Sequence, residues 1–295
     1  MKLKKIYVFV LTALFLMGCS DDDPALPLAD FQFLVEDTQV TFNGTVENAD
    51  SISWDFGDGG TSTDEDPVYA YSTPGTYAVV MTVSGGNGSF SETKEVTILP
   101  SLEILLTGGV ARPEGKSWRL SRVFTTGKDG AGPIAESLPI VLPSIDNLLQ
   151  AVGLGSSYDD TFTFVNDGTY IVDNRDGQSL TGLLFASAFE AANITAVSAD
   201  INNVPLAHVI YTPTTEGTWA INEEDFTVDG AEGSVTFSGR TELVLNEYLG
   251  FRDLTNTVIL KEINETTMNV AIAIHTVPEA IQNPTLFFHL SFDAL

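Results

Sequence analysis

Residues 54–83 read WDFGDGGTSTDEDPVYAYSTPGTYAVVMTV. Trp54 and Phe56 stand two apart, so in an extended chain both point to one face and Asp55 points to the other. Gly57 and Gly59 supply the positive φ that a tight reversal needs, and Asp58 between them can bond its own backbone. Pro74-Gly75 makes a second turn, after which Tyr77, Val79, Met81 and Val83 alternate again. Outward from this stretch, Phe31, Phe33 and Val35 form one such run, Val40 and Phe42 another, and Ile52 leads into Trp54. Half-buried strands between Gly, Asp and Asn turns, packed into about 70 residues, predict a small antiparallel sandwich.

The residues Trp54 to Val83 resemble the PKD domain, an immunoglobulin-like sandwich, in both motif and spacing. The resemblance implies a spacer, binding or adhesion unit of extracellular proteins that is not itself catalytic. Asp55, Asp58, Asp64, Glu65 and Asp66 carry enough carboxylate oxygen to invite a calcium ion. Their spacing is not that of an EF-hand loop, and turn chemistry plus solvated acids is the simpler expectation, so no metal site is assigned.

The chain begins MKLKKIYVFVLTALFLMGCSDDD. Lys2, Lys4 and Lys5 precede an apolar run, Ile6 to Met17, that falls short of the roughly 20 residues a membrane span needs. A secretory signal over residues 1–18 is expected. Leu16-Met17-Gly18-Cys19 resembles a lipobox, so Cys19, the only cysteine in the chain, is expected to be the lipid attachment site. No thiol then remains for a disulfide, a thiolate metal site or a nucleophile. Residues 19–29 read as an acidic tether, and Ser20-Asp21-Asp22-Asp23 resembles the tag that directs some lipoproteins to the outer face of the outer membrane. Localisation there, facing the exterior and anchored through acyl chains, is the expectation.

Without the signal the chain carries 10 basic against 40 acidic residues, a formal charge of −30. Such a body repels phosphate backbones, which excludes nucleic acid as a natural partner. Hydrophobic residues make up 43%, too many for a disordered chain.

The predicted organisation is all-β: the sandwich over residues 30–99, a linker over 100–109, and a second β domain over 110–295. In the latter, KSWRLSRVF, DDTFTFVNDGTYIV, GTWAINEEDFTV, GSVTFSG, TELVLNEYL, NTVILKEI, TMNVAIAIHTV and TLFFHLSF mostly alternate, and Asp167-Gly168 is a hairpin signal. About eight strands joined by short turns predict a meandering barrel or sandwich. The early Trp118, the TFTF hairpin, Trp219 in GTW and the late VILKEINETTMNV pair resemble lipocalin-like domains of bacterial surface lipoproteins. LTGGVARPEGKSW (Leu106 to Trp118) and Tyr158-Asp159-Asp160-TFTF also resemble a domain that follows PKD modules in surface glycan-binding lipoproteins. The chain departs from that pattern at its C-terminal part, LFFHLSFDAL, which lacks the late tryptophan.

Two apolar insertions break the β pattern. In Ser137–Gly155, Ser144 is a candidate helix cap with Ile145, Leu148, Leu149 and Val152 on one stripe. Ser179–Val197 is a second helical candidate. They are expected to plug the barrel or pack on a sheet, or else to form a lid, a greasy rim or a partner-docking face.

His208, His275 and His289 are far apart in sequence and form no metal-binding or protease spacing. Neither a Gly-x-Ser-x-Gly elbow nor a Walker loop occurs, so no enzyme and no cofactor are expected. For a polysaccharide or oligosaccharide ligand, the aromatic and planar polar residues nearest to loops are Tyr158, Asp159, Asp160, Arg175, Tyr248, Phe251 and Arg252. Trp118, Trp219 and Tyr170 are expected in the core. The leading expectation is a non-catalytic surface lipoprotein that binds extracellular glycan for an outer-membrane uptake complex. The alternatives are a lipocalin-like carrier of a small hydrophobic ligand and a structural or adhesive surface protein.

Overall fold

The computed structural model describes residues 25–198, 205–276 and 283–295. The expected signal segment, Cys19 and the Ser20–Asp23 acids lie outside the described residues. Two compact units divide the chain, Met1–Ser101 and Leu102–Leu295.

In the first unit the sheet Leu28–Glu36, Gln39–Glu47 and Val68–Ala70 lies beside the sheet Thr61–Ser62, Ser51–Asp55, Gly75–Gly85 and Gly88–Ile98. The alternation decides which side chains fill the core: Phe31 and Phe42 come from one sheet, and Trp54, Val79, Met81 and Val83 from the other. Trp54 meets the Phe31 ring edge-on at 5.1 Å, and its indole N–H donates to the Asp64 carbonyl at 2.9 Å. Gly57 and Gly59 have φ of 83° and 96°, and a Cβ on Gly57 would lie 2.8 Å from the Ala78 carbonyl oxygen. Asp55 accepts the Gly57 N–H, Asp58 accepts the Gly60 N–H, and Asp66 accepts the Gly44 N–H. Asp55 and Asp58 therefore hold their own turn, and Asp66 ties its loop to the Gln39–Glu47 strand.

Lys94 is the only basic residue between positions 25 and 99. Its ammonium donates to Asp30 at 2.6 Å and to the Phe31 carbonyl, joining the last strand to the first, and the hydrogen bond it gives holds the Asp30 carboxyl below its ordinary value. The pair is partly solvated, so its worth is modest. Lys94→Gln is expected to cost about 1 kcal/mol in urea unfolding of this unit. Because the Asp30 pKa is depressed, the loss should be full near pH 7 and fade as pH falls through the range in which Asp30 protonates.

The second unit is built on Lys116–Leu120, Thr161–Phe164, Tyr170–Asp173, Trp219–Asn222, Thr241–Leu245, Val258–Ile263, Thr267–Ile274 and Leu286–Ala294. Each pairs antiparallel with the next in this order, except between the third and fourth, and the last returns to pair with the first. The third and fourth meet through a bridge at Thr169 and Thr218, with Tyr170 N–H on the Gly217 carbonyl and Trp219 N–H on the Gly168 carbonyl. A nearly closed, meandering barrel results. Gly217 permits this seam, because a Cβ there would sit 1.9 Å from the Tyr170 carbonyl oxygen.

Trp118, Phe162, Phe164, Tyr170, Tyr248 and Phe292 fill much of the interior, the filling expected of a barrel this narrow. Thr267–Ile274 is buried on both faces, because the hairpin Phe226–Gly230/Gly233–Phe237 covers its outer side and sets Phe237 on Phe287. This explains why MNVAIAI reads as a continuous apolar run.

The linker reading of residues 100–109 is corrected. Leu102–Thr107 is a helix with Leu106 fully buried in the barrel core, and the Trp118 indole N–H donates to the Leu106 carbonyl at 3.0 Å. The helical stripe from Ile145 to Val152 is also corrected. Only Leu148–Ala151 is helical, and its cap position is Asn147, with φ 52° and no side-chain capping bond. The Ser144 hydroxyl instead faces the Ile145 carbonyl, while Leu142–Pro143 pairs as a strand with Gly130–Pro133. Of the second insertion, Leu183–Phe189 forms a helix. Its flanks, Gln178–Gly182 and Ile194–Val197, form a small sheet with Leu206–Ile210.

Candidate ligand-binding pocket

The barrel wall parts where the chain leaves the Lys116–Leu120 strand. Phe292 and Ala294 of the last strand pair with Leu120 and Trp118, but Leu286 to His289 pair with Gly130–Pro133. Between these partners the loop from Ser121 to Asp129 swings out, and a cavity of about 210 Å³ opens into the barrel. Even-numbered residues of the last strand face inward with Phe292, so Phe288 and Leu290 join Leu120, Leu180, Leu206 and Phe251 as apolar wall. The first insertion supplies the cover through Leu142, Ile145, Leu148 and Leu149. Val123, Val141 and Ile145 remain exposed around this region.

The mouth is stitched from three segments, around Arg122, Asn147 and Tyr158. Asn147 N–H donates to the Arg122 carbonyl at 2.8 Å, Phe124 N–H to Asp146 at 2.6 Å, and Leu149 N–H to the Tyr158 hydroxyl at 3.2 Å. Asp129 anchors the far end of the loop by accepting the Thr125 N–H at 2.8 Å. Lys261 donates to the Lys128 carbonyl and to His289 Nδ1, both at 3.1 Å. Burial, reinforced by the Lys261 charge, pushes His289 down to about 4, so this imidazole is neutral at ordinary pH.

Of the residues selected from sequence, Tyr158 and Phe251 line the pocket. Asp159 sits beside it, paired with Arg122 at 3.2 Å. Tyr248 and Phe251 are 1% and 2% exposed, which corrects their reading as loop aromatics offered to a sugar ring. Gly250, with φ 71°, turns the chain back on itself, and Phe251 N–H closes on the Leu249 carbonyl, so both rings are driven inward. Tyr158 is buried as well. Arg175 is exposed and paired with Asp173.

Arg252 belongs to a separate cluster, stacked 3.8 Å from the Tyr211 ring centre and bonded to Glu190 at 2.9 Å. Asp160 is 3% exposed and its Oδ1 has no hydrogen-bond partner. Burial, with Asp176, Asp173 and Asp159 adding to it against Arg175, pushes its carboxyl up to about 8. The selection missed Arg122, Leu120, Phe288 and Leu290, whose shared position depends on long-range register.

The histidines serve structure. His275 bonds Asp253 at 3.1 Å, both essentially fully buried, and His208 bonds Ser157 at 2.7 Å. Ser157 and His208 are buried off the pocket lining, so this pair does not present a nucleophile to it. Among the described residues no group of three His, Cys, Asp or Glu side chains could hold a metal ion.

Fold and cavity define a two-unit β protein, an immunoglobulin-like sandwich joined to a nearly closed barrel with an apolar side pocket. Residues 22–99 match the PKD domain family, so the N-terminal unit is a PKD domain. Over 76 residues, 24% of this chain, the sequence is 38% identical to the pre-pro-metalloprotease PrtV of Vibrio cholerae, of which it spans only 8%. The crystal structure of the PKD1 domain of that metalloprotease is 32% identical, covering 26% of this chain and 100% of its own, with a TM-score of 0.25. A structure of carbohydrate-binding modules from the beta-sandwich superfamily aligns over 92% of this chain and 93% of its own, at 16% identity and a TM-score of 0.24. An overlay at that level carries no argument about fold or ligand.

Proposed function

We propose that the protein is a non-catalytic binding protein of the cell surface. It is anchored through an acylated Cys19 in the outer membrane and faces the exterior, and its PKD unit spaces a ligand-holding barrel away from the lipid. The observation that carries this reading is the apolar cavity at the parted barrel wall. A concave, mostly apolar site with a few polar groups at its rim is the usual form of a small-molecule site. Removing apolar ligand surface from water there contributes about 25 cal/mol per Å² before the costs of binding. The first reading of the ligand is therefore a small, largely apolar molecule.

A glycan taken up by an outer-membrane complex is the second reading, favoured by the rim. There the exposed Arg122 and Asp159 pair beside Tyr158 and offer planar polar groups to hydroxyls. Calorimetry against a panel of oligosaccharides and small apolar compounds separates the two. Leu290→Trp, which fills the cavity from its wall, is expected to weaken an apolar ligand at least about tenfold and to leave a rim-bound glycan nearly unaffected. A folded protein that binds neither class removes both readings and leaves a structural or adhesive role.

A further inference from the structure

We propose that the pocket takes an amphiphile with a single anionic head, a medium-chain or aromatic carboxylate, and that Arg122 at its mouth reads the head. The inference rests on the pocket being a ligand site.

Size sets the body of the molecule. An apolar cavity of about 150 Å³ accommodates benzene, so one of about 210 Å³ takes a somewhat larger ring or a coiled chain of moderate length. Polar groups on the walls are few: His289 Nε2 is buried without a hydrogen-bond partner, and Ser121, Ser144 and Ser291 also line the cavity. Asp129 is already committed to the Thr125 N–H and faces the Asn269 amide, and His289 is neutral with its Nδ1 taken by Lys261.

Charge sets the head. Arg122 is the only Lys or Arg among the lining residues, in a chain of 13 basic and 40 acidic residues. Its guanidinium lies 4.6 Å from the centre of the Tyr158 ring, a stacking that fixes its plane. Tyr158 is itself held through its hydroxyl on the Leu149 N–H. The ion pair of Arg122 is with Asp159, at 3.2 Å, and the two side chains are 44% and 65% exposed. An exposed pair of this kind is weak. A ligand carboxylate arriving from the pocket can engage the guanidinium with two parallel N–H···O bonds and displace Asp159, exchanging a loose contact for a bidentate one.

The test is calorimetry of the purified full chain at pH 8 with two probes of equal length, decanoate and 1-decanol. Decanoate is expected to bind about tenfold more tightly than decanol. Arg122→Gln should abolish that difference. Asp159→Asn, which frees the guanidinium, should tighten decanoate alone. Equal affinities for the two probes, or an Arg122→Gln variant that still prefers decanoate, overturns the head-group assignment and leaves the apolar pocket standing. A folded chain that binds neither probe overturns the pocket reading and this inference together.

Discussion

Replacing Asp160 by asparagine is expected to stabilise the protein by about 3–5 kcal/mol at pH 8 and to change little near pH 4. The Asp160 carboxyl is buried, has an oxygen with no partner, and faces three acids with only Arg175 to offset them. Its folded pKa is raised to about 8, whereas an unfolded chain ionises near 3.9. Folding therefore takes up a proton between these values. Stability from this group is fully present below about pH 4 and is lost as pH rises toward 8, at roughly 1.4 kcal/mol per unit at most. Asparagine keeps the shape and removes the titration, so its advantage should grow across that window. Urea unfolding at pH 4, 6 and 8 checks this. An asparagine variant less stable than the parent at pH 8 would contradict a carboxyl that burial and its acidic neighbours hold protonated.

Trp118→Ala is expected to cost about 3–5 kcal/mol in the barrel unit, the range for emptying a large aromatic site. The ring is fully buried, and its N–H satisfies the Leu106 carbonyl of the short helix that opens the unit. Truncation thus leaves a cavity and also unties Leu102–Thr107. Hydrogen exchange separates the two consequences. In Trp118→Phe, which keeps most of the volume, amides of that helix should lose protection more than those of Thr267–Ile274. Equal loss in both segments would show that the helix is held by apolar packing alone.

The legibility of these features in the sequence follows the range of the interactions that cause them. Gly57, Asp58 and Gly59 act on their own backbone, so their turn was readable from the residues and stands with φ of 83° and 96° at the glycines. Much of the meander was readable because neighbours in the chain pair, as Thr161–Phe164 does with Tyr170–Asp173 and Val258–Ile263 with Thr267–Ile274. Its closure was not, because the seam joins Thr169 to Thr218 through a Gly217 that has no local signature. The stripe Ile145, Leu148, Leu149 and Val152 misled for a related reason. Ile145, Leu148 and Leu149 face a cavity whose wall comes from elements as far off in sequence as Phe288 and Leu290, and Gly153, with φ 83°, ends the helix after one turn. Tyr248 and Phe251 looked available because polar residues flank them, yet the reversal at Gly250 points both inward. Arg122 gave no sign at all in sequence, since its partners Tyr158 and Asp159 reach it only in the folded chain.

The proposed occupant of the parted barrel is a small, largely apolar molecule. Native mass spectrometry of the full chain purified from its own cells measures this directly. The expected result is one small adduct per chain, absent from Leu290→Trp prepared in the same way. A bare mass for both proteins would contradict the claim.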